Sequence, residues 1–296
     1  MDDIRDYLIS FGIALRARNR APRTIKTYGL AVEQFAAFAE AQGYPTAIDQ
    51  ITRRHLEHHL ADLIDRRSPA TAAQRYASLR QFFRWAVEEG EIDRHPMDGM
   101  RKPTVPDKPI PVLDDEQIKA LLDACRGETF IDRRDTALVR TFLDTGARLH
   151  EIAQLQLTDL DLERQQFATV TKGQHVAVKY FGARTAQALD RYERARRRHA
   201  FAGTPWLWLG LKGKLTDSGI AQVIERRAEQ AGVGHVHPHQ FRHTLAHRWL
   251  AEGGNEGDLV RVMGWKDRQM LDRYGSSAAQ GRARQAHQRM GLADRF

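Results

Sequence analysis

Apolar residues recur at helical spacing through the first hundred positions. Ile4, Leu8, Phe11 and Leu15 fall on one face of a first helix. The stretch APRTIKTYGLAVEQFAAFAEAQG predicts a second, opened after Pro22 and stopped at Gly43, with Ile25, Val32, Phe35 and Ala39 turned inward. Thr52 is placed to cap a third helix carrying Leu56, Leu60 and Leu63. Ser68-Pro69 supplies an N-cap followed by proline at the first helical position. The fourth helix then runs through Tyr76, Leu79, Phe83 and Val87 to a stop at Gly90. Four amphipathic helices on short connections predict a small helical domain over residues 1–102.

The pattern then breaks. RKPTVPDKPIPVL, residues 101–113, holds Pro103, Pro106, Pro109 and Pro111, four of the ten prolines in the chain. Such a stretch is extended and cannot pack as a helix, so a linker is expected over 103–112 and a second domain over 113–296. That domain reads as mainly helical, through DDEQIKALLDAC and through RRDTALVRTFLDTG, which ends at Gly146. FATVTKGQHVAVKYF is different. Val176, Val178 and Tyr180 alternate with Ala177, Lys179 and Phe181, which predicts a hairpin with Lys172 and Gly173 at its tip. Helices resume near 183, and Pro238 opens one that carries Leu245 and Trp249 and closes at Gly253-Gly254. The expected fold is therefore mainly α with a small β-sheet: a four-helix domain followed by an α+β domain.

Composition narrows the function classes. The 296 residues are 42% hydrophobic, enough for packed cores. The formal net charge is +8, which favours a polyanionic partner, most often nucleic acid, with simple solubility as the other reading. The excess is spread over both parts: residues 1–102 hold 16 Lys and Arg against 14 Asp and Glu, and the remainder holds 30 against 24. The single cysteine, Cys125, excludes an internal disulfide and a Cys-rich zinc module, and its apolar helical context predicts a small core residue. The acidic start MDDIRDYL is unlike a signal peptide, and no apolar run approaches membrane-spanning length. The cytoplasm is the expected compartment.

Four places in the second domain set polar residues at structured positions. Arg148, in TGARLHE, starts a helix, where its charge opposes the helix dipole unless an anion neutralises it; a pair with Glu151 is the plainer reading. Lys172 at the hairpin tip is either a solvated lysine or an ammonium carried to a leaving group. In HPHQFRHTLAHRWL, His239 and Arg242 share the first helical turn, whose N–H groups favour a phosphate. His237, His239, His243 and His247 also admit a metal, but HExxH is absent and no acidic residue lies between His235 and Ala251, so no metal and no cofactor are expected. Finally, MGWKDRQMLDRYG closes a long helical stretch and puts Tyr274 nine residues after Trp265, among polar neighbours. Two arginines, a lysine, a histidine and a tyrosine suffice for phosphoryl transfer without a metal. Guanidinium groups offset the charge of the five-coordinate transition state, tyrosine serves as nucleophile and lysine protonates the leaving alkoxide.

The order of these pieces closely resembles the tyrosine recombinase (phage integrase) family: Arg in TGARLHEI, Lys in a hairpin, HQFRHT, then MGW and a Tyr nine residues beyond the Trp. The resemblance covers 113–275, and the preceding four helices are similar to the family's core-binding domain. It implies that Arg148 and Arg242 clamp the scissile phosphate. Lys172 acts as general acid towards the 5′ oxygen, with Lys179 as runner-up because the second lysine often found near the family's turn is missing from TKGQH. His239 assists proton transfer, Glu151 braces the site, and Tyr274 forms the 3′-phosphotyrosyl link. Trp265 stands where most members have a histidine and some a tryptophan, which keeps an N–H donor and removes an acid/base. The resemblance further implies a two-domain clamp on duplex DNA with paired inverted half-sites and a homotetramer on that DNA. The resemblance is to compact members of the family, in which no arm-binding domain is expected before the core-binding helices. Accessory DNA-bending or directionality factors, the target sequence, the direction of recombination and a phage, plasmid or chromosomal origin stay open. The rivals are a type IB topoisomerase, against which the tail from Ser276 to Asp294 argues, a catalytically dead DNA-binding protein, and a metalloenzyme. That tail is expected to form a short helix that docks on a neighbouring protomer.

Overall fold

The computed structural model describes residues 2–106, 111–170, 176–265, 270–271, 283–284 and 287–291. The chain forms two compact units, Met1–Lys108 and Pro109–Phe296.

In the first unit a 3-10 turn, Ile4–Tyr7, leads into α1 (Leu8–Ala17), followed by α2 (Pro22–Ala41), α3 (Arg53–Arg66) and α4 (Pro69–Glu88). The starts obey local chemistry. Proline is the first residue of α2 and α4, where its missing N–H costs nothing. Ser68 Oγ accepts the Thr71 N–H at 3.2 Å, satisfying one orphan donor of α4. The inward residues expected from spacing are at the centre: Ile4, Phe11, Val32, Phe35, Ala39, Leu56, Leu60, Tyr76, Leu79 and Phe83 are all buried. Phe11 packs edge-on against Phe82, with ring centroids 5.3 Å apart, and joins α1 to α4. Tyr76 donates its hydroxyl to the Met100 carbonyl at 2.7 Å, which ties the chain leaving α4 back onto that helix. His59 is buried between the rings of Phe35 and Phe38, and burial pushes its imidazole down to about 4.

The second unit contains α5 (Asp115–Ala124), α6 (Phe130–Thr145), α7 (Leu149–Ala153), β1 (Leu160–Asp161), β2 (Gln166–Val170), β3 (Val176–Tyr180), α8 (Ala183–Arg196), β4 (Leu209–Gly210), β5 (Gly213–Lys214), α9 (Asp217–Gln230), α10 (Pro238–Ala251) and α11 (Glu256–Met263). The expected hairpin is the pair β2–β3. It is extended by β1 into a three-stranded antiparallel sheet, while β4 and β5 make a second small hairpin. Neither addition was legible in the residue pattern, because strands of two residues carry no periodicity. The core between sheet and helices includes Leu121, Cys125, Leu138, Phe142, Phe167, Leu189, Tyr192, Trp208, Ile224 and Phe241. The Cys125 thiol is buried as expected, and desolvation pushes it up to about 12. A separate cluster of Ala246, Leu250, Leu259, Met263, Trp265 and Leu271 packs α10 against α11.

The helical stretch before MGW is not continuous. Gly253, at φ 80°, ends the run of α10, Asn255 caps α11, and α11 itself stops at Gly264 in the left-handed region. In the tail, residues 283–284 and 287–290 are helical; the rest of the expected tail helix lies outside the described residues.

Candidate active site

The site is built around the end of α6. Gly146 turns the chain with φ 53°, a left-handed conformation that favours glycine, and an added Cβ would crowd Leu245 Cδ2 at 3.0 Å. The turn leaves the Gly146 carbonyl pointing inward, where it accepts a 2.8 Å bond from Arg242 Nη1. Two residues on, Arg148 is the N-cap of α7.

Glu151 resolves the conflict between Arg148 and the dipole of α7. One carboxylate oxygen accepts the Arg148 N–H at 2.9 Å and the other accepts Nη1 at 2.7 Å. A carboxylate in the first turn suits the helix N-terminus and neutralises the arginine together. The plain pairing expected from sequence is thus present, but it is lopsided. The Glu151 side chain is 5% exposed and that of Arg148 is 45% exposed. Among the described residues no other group bonds Arg148 Nε or Nη2. The guanidinium stands on a buried carboxylate with donors turned outward.

Arg242 comes from α10 and is buried. Besides the Gly146 carbonyl, it donates from Nη2 to the Met263 carbonyl at 2.5 Å. Its guanidinium carbon lies 5.7 Å from the centroid of the Trp265 ring, within cation–π range. His239, three residues before Arg242, is exposed, and its ring meets that of buried His243 edge-on at 4.6 Å. The two residues of HxxR therefore differ: the arginine is locked inside while the histidine is presented at the helix start. The i,i+4 histidines form no metal cluster, and no group of three or more His, Cys, Asp or Glu able to hold a metal occurs among the described residues.

Sequence reasoning named Lys179 as runner-up general acid and did not foresee its burial. In β3 the apolar side chains Val176, Val178 and Tyr180 are exposed, while Lys179 and Phe181 are buried. Lys179 Nζ donates to the Val262 carbonyl at 2.5 Å. Burial pushes its ammonium down to about 8; Glu151 draws it up, and Arg242 and Arg148 push it further down. A lysine at the inward phase of an alternating strand was the available signal. Lys172 and Tyr274 lie outside the described residues. Of the expected site residues, the fold brings Arg148, Arg242 and Trp265 to one place with Glu151, and sets His239 on the same turn as Arg242.

A buried arginine bonded to carbonyls is not by itself a functional sign. Arg196 donates to the carbonyls of Ala202, Thr204, Trp206 and Leu207 and simply braces the loop before β4. What distinguishes the site is three cations gathered from the start of α7, from β3 and from α10, one of them half-exposed on a buried carboxylate. They come from positions 148, 179 and 242 and lie within one another's field.

The Phage integrase family model matches residues 111–280, and that of the phage integrase N-terminal SAM-like domain matches residues 8–91. Tyrosine recombinase XerC of Roseiflexus castenholzii is 31% identical over 255 residues, covering 83% of this chain and 81% of that protein. Tyrosine recombinase XerC of Oceanobacillus iheyensis is 28% identical over 273 residues, 89% of each. Among solved structures, the Tn1549 transposon integrase in complex with transposon right end DNA gives a TM-score of 0.76 at 19% identity, covering 98% of this chain and 99% of that one. XerH site-specific recombinase bound to palindromic difH substrate gives 0.76 at 17%, covering 96% and 84%. At those identities the two structures establish the fold. The family match runs across the domain that holds Arg148, Arg242 and Trp265, and the relatives extend it over both units: this chain belongs to the phage integrase family of tyrosine recombinases.

Proposed function

We propose that this protein is a site-specific recombinase that cleaves and rejoins duplex DNA through a 3′-phosphotyrosyl bond to Tyr274. The observation that carries the reading is the half-exposed guanidinium of Arg148, braced on buried Glu151, two residues from the Gly146 carbonyl that holds Arg242. The outward donors of the Arg148 guanidinium contribute nothing to the packing of the fold. A phosphodiester, whose charge grows on its non-bridging oxygens in the five-coordinate transition state, supplies the missing anion.

In this mechanism Arg148 and Arg242 donate to the non-bridging oxygens. The Tyr274 oxygen attacks phosphorus in line and loses its proton, with His239 assisting the transfer. The bond from phosphorus to the 5′ oxygen breaks, and Lys172 protonates that oxygen as it leaves. Trp265, held against Arg242, donates its indole N–H to the phosphate. The phosphotyrosyl bond conserves the energy of the broken diester, so a 5′-hydroxyl from a second duplex reverses the step and no nucleotide is consumed. The names of the relatives favour recombination over relaxation. Paired inverted half-sites, a homotetramer on DNA, a clamp made by both units and a cytoplasmic location complete the proposal.

A nicked suicide substrate tests it. After cleavage the short 5′ fragment diffuses away and the covalent adduct is trapped. Digestion and mass spectrometry should place the nucleotide on Tyr274. Tyr274→Phe should bind the site with near wild-type affinity and form no adduct. An adduct on Tyr180 or Tyr192, or strand exchange by the Phe variant, would refute the assignment.

A further inference from the structure

A helix leaves its last four carbonyls without intrahelical partners, and in α11 all four can be traced. The Val260 carbonyl accepts the Trp265 N–H at 3.0 Å and the Arg261 carbonyl accepts the Gly264 N–H at 3.1 Å. These two bonds, with Gly264 left-handed at φ 62°, form a Schellman motif. The other two carbonyls are taken by side chains from elsewhere in the domain: Val262 by Lys179 Nζ of β3 and Met263 by Arg242 Nη2 of α10. Both are cations at the negative end of the helix dipole.

We propose that Lys179 is a positioning residue, which pins the end of α11 to the phosphate site and so sets the entry of the segment that carries Trp265 and Tyr274. The inference rests on the reading of Tyr274 as nucleophile. Three observations support it. Packing does not call for a lysine here: its neighbours at the same phase are Ala177 in β3 and Phe181 just past it, and an apolar side chain would fill the position without the cost of burying a charge. The ammonium is directed at a main-chain carbonyl 83 residues away in sequence, which fixes β3 against α11. The neighbouring carbonyl is held by Arg242, so the clamp on the phosphate and the lock on the nucleophile's segment share one helix end. Buried and bonded in this way, Lys179 orients the segment and leaves protonation of the leaving group to Lys172.

The test compares Lys179→Met and Lys179→Gln with wild type and Lys172→Ala on the same suicide substrate, with thermal melting to confirm folding. For Lys179→Met, half-site affinity should stay at the wild-type level while single-turnover adduct formation falls roughly 10- to 100-fold, as a small misplacement of a nucleophile does. A 5′-bridging phosphorothiolate, whose thiolate leaves without a proton, should restore Lys172→Ala and leave Lys179→Met slow. Amide exchange at Gly264 and Trp265, read on the folded protein, should accelerate in Lys179→Met and less in Lys179→Gln, which keeps a donor. Wild-type cleavage rates, rescue by the phosphorothiolate, or unchanged exchange at the end of α11 would each overturn the proposal. Absence of any adduct in wild type would instead strike the assignment of Tyr274, and the exchange measurement would still decide whether the lock exists.

Discussion

The second unit buries two clusters of charge, and they are built in opposite ways. Around Asp135 of α6, an anion sits at the centre. Its Oδ1 accepts Arg134 Nε and Nη2 at 2.8 and 2.7 Å, and its Oδ2 accepts Arg226 Nη2 and Arg227 Nε at 2.9 and 2.8 Å. Arg227 also reaches Asp132 and the Ala124 carbonyl, so the knot fastens α9 to α6 and to the end of α5. Around Gly146 the centre is main-chain carbonyl. The hydrogen bonds described for Lys179 and Arg242 go to the carbonyls of Gly146, Val262 and Met263, and the one carboxylate, Glu151, is bonded to Arg148. Carbonyl oxygens orient a cation without neutralising it. The first cluster holds helices together; the second, on the function proposed above, meets an anion from outside through the exposed side of Arg148.

Substitutions should separate the two. Asp135→Asn leaves three guanidinium groups around a neutral amide and should cost about 3–5 kcal/mol of stability, the range for breaking a buried pair. Denaturant melts read this loss, and adduct formation per folded molecule should be unchanged. Arg148→Ala should do the reverse. Its stability cost should be about 1–2 kcal/mol, since Glu151 keeps the backbone N–H at position 148, whereas adduct formation should fall roughly 10²- to 10³-fold. Equal effects on stability and on cleavage in both variants would erase the distinction.

The comparison sharpens with pH. An ordinary lysine titrates near 10.5 and Lys179 near 8 in the folded protein. Between these values the unfolded chain holds a proton that the native one has released, so wild type should gain stability as pH rises through the window. The gain relative to Lys179→Met should approach roughly 3 kcal/mol. A flat difference between the two would show that the ammonium is not strained by burial. The N-terminal unit buries a titratable group in a third manner, neutral and among rings. His59, held near 4 against an ordinary 6.5, stays unprotonated while the unfolded chain takes up a proton. That unit should therefore lose up to about 3 kcal/mol as pH falls from 6.5 towards 4, and His59→Leu should flatten the acid limb of its melt.

These contrasts also show what could be read from the chain before the fold. The four helices of the N-terminal unit, their proline starts and their inward faces follow from local spacing and capping. So do Gly146 as a helix stop and Arg148 as a helix start. Period two was legible in β3, but not which face turns inward: hydrophobicity points to Val176, Val178 and Tyr180, and the structure exposes them and buries Lys179. That choice is made by partners far away in sequence, the Val262 carbonyl and Glu151, and spacing carries no information about them. The Asp135 knot was invisible for the same reason, since RRD and ERR read as ordinary solvated charge until α6 and α9 meet. The expected residues Arg148, Arg242 and Trp265 share one site, whereas Lys172 and Tyr274 lie outside the described residues.

The central claim is that the surplus positive charge beside Gly146 exists to meet a negative phosphate. A DNA substrate whose scissile phosphate carries a methyl group in place of one non-bridging oxygen is neutral there and needs less of that charge. Adduct formation should be measured for wild type and Arg148→Ala on both substrates. The account predicts a large deficit for Arg148→Ala on the phosphate and a much smaller one on the methylphosphonate. The same deficit on both would mean that Arg148 supports the fold and not the charge of the reacting group.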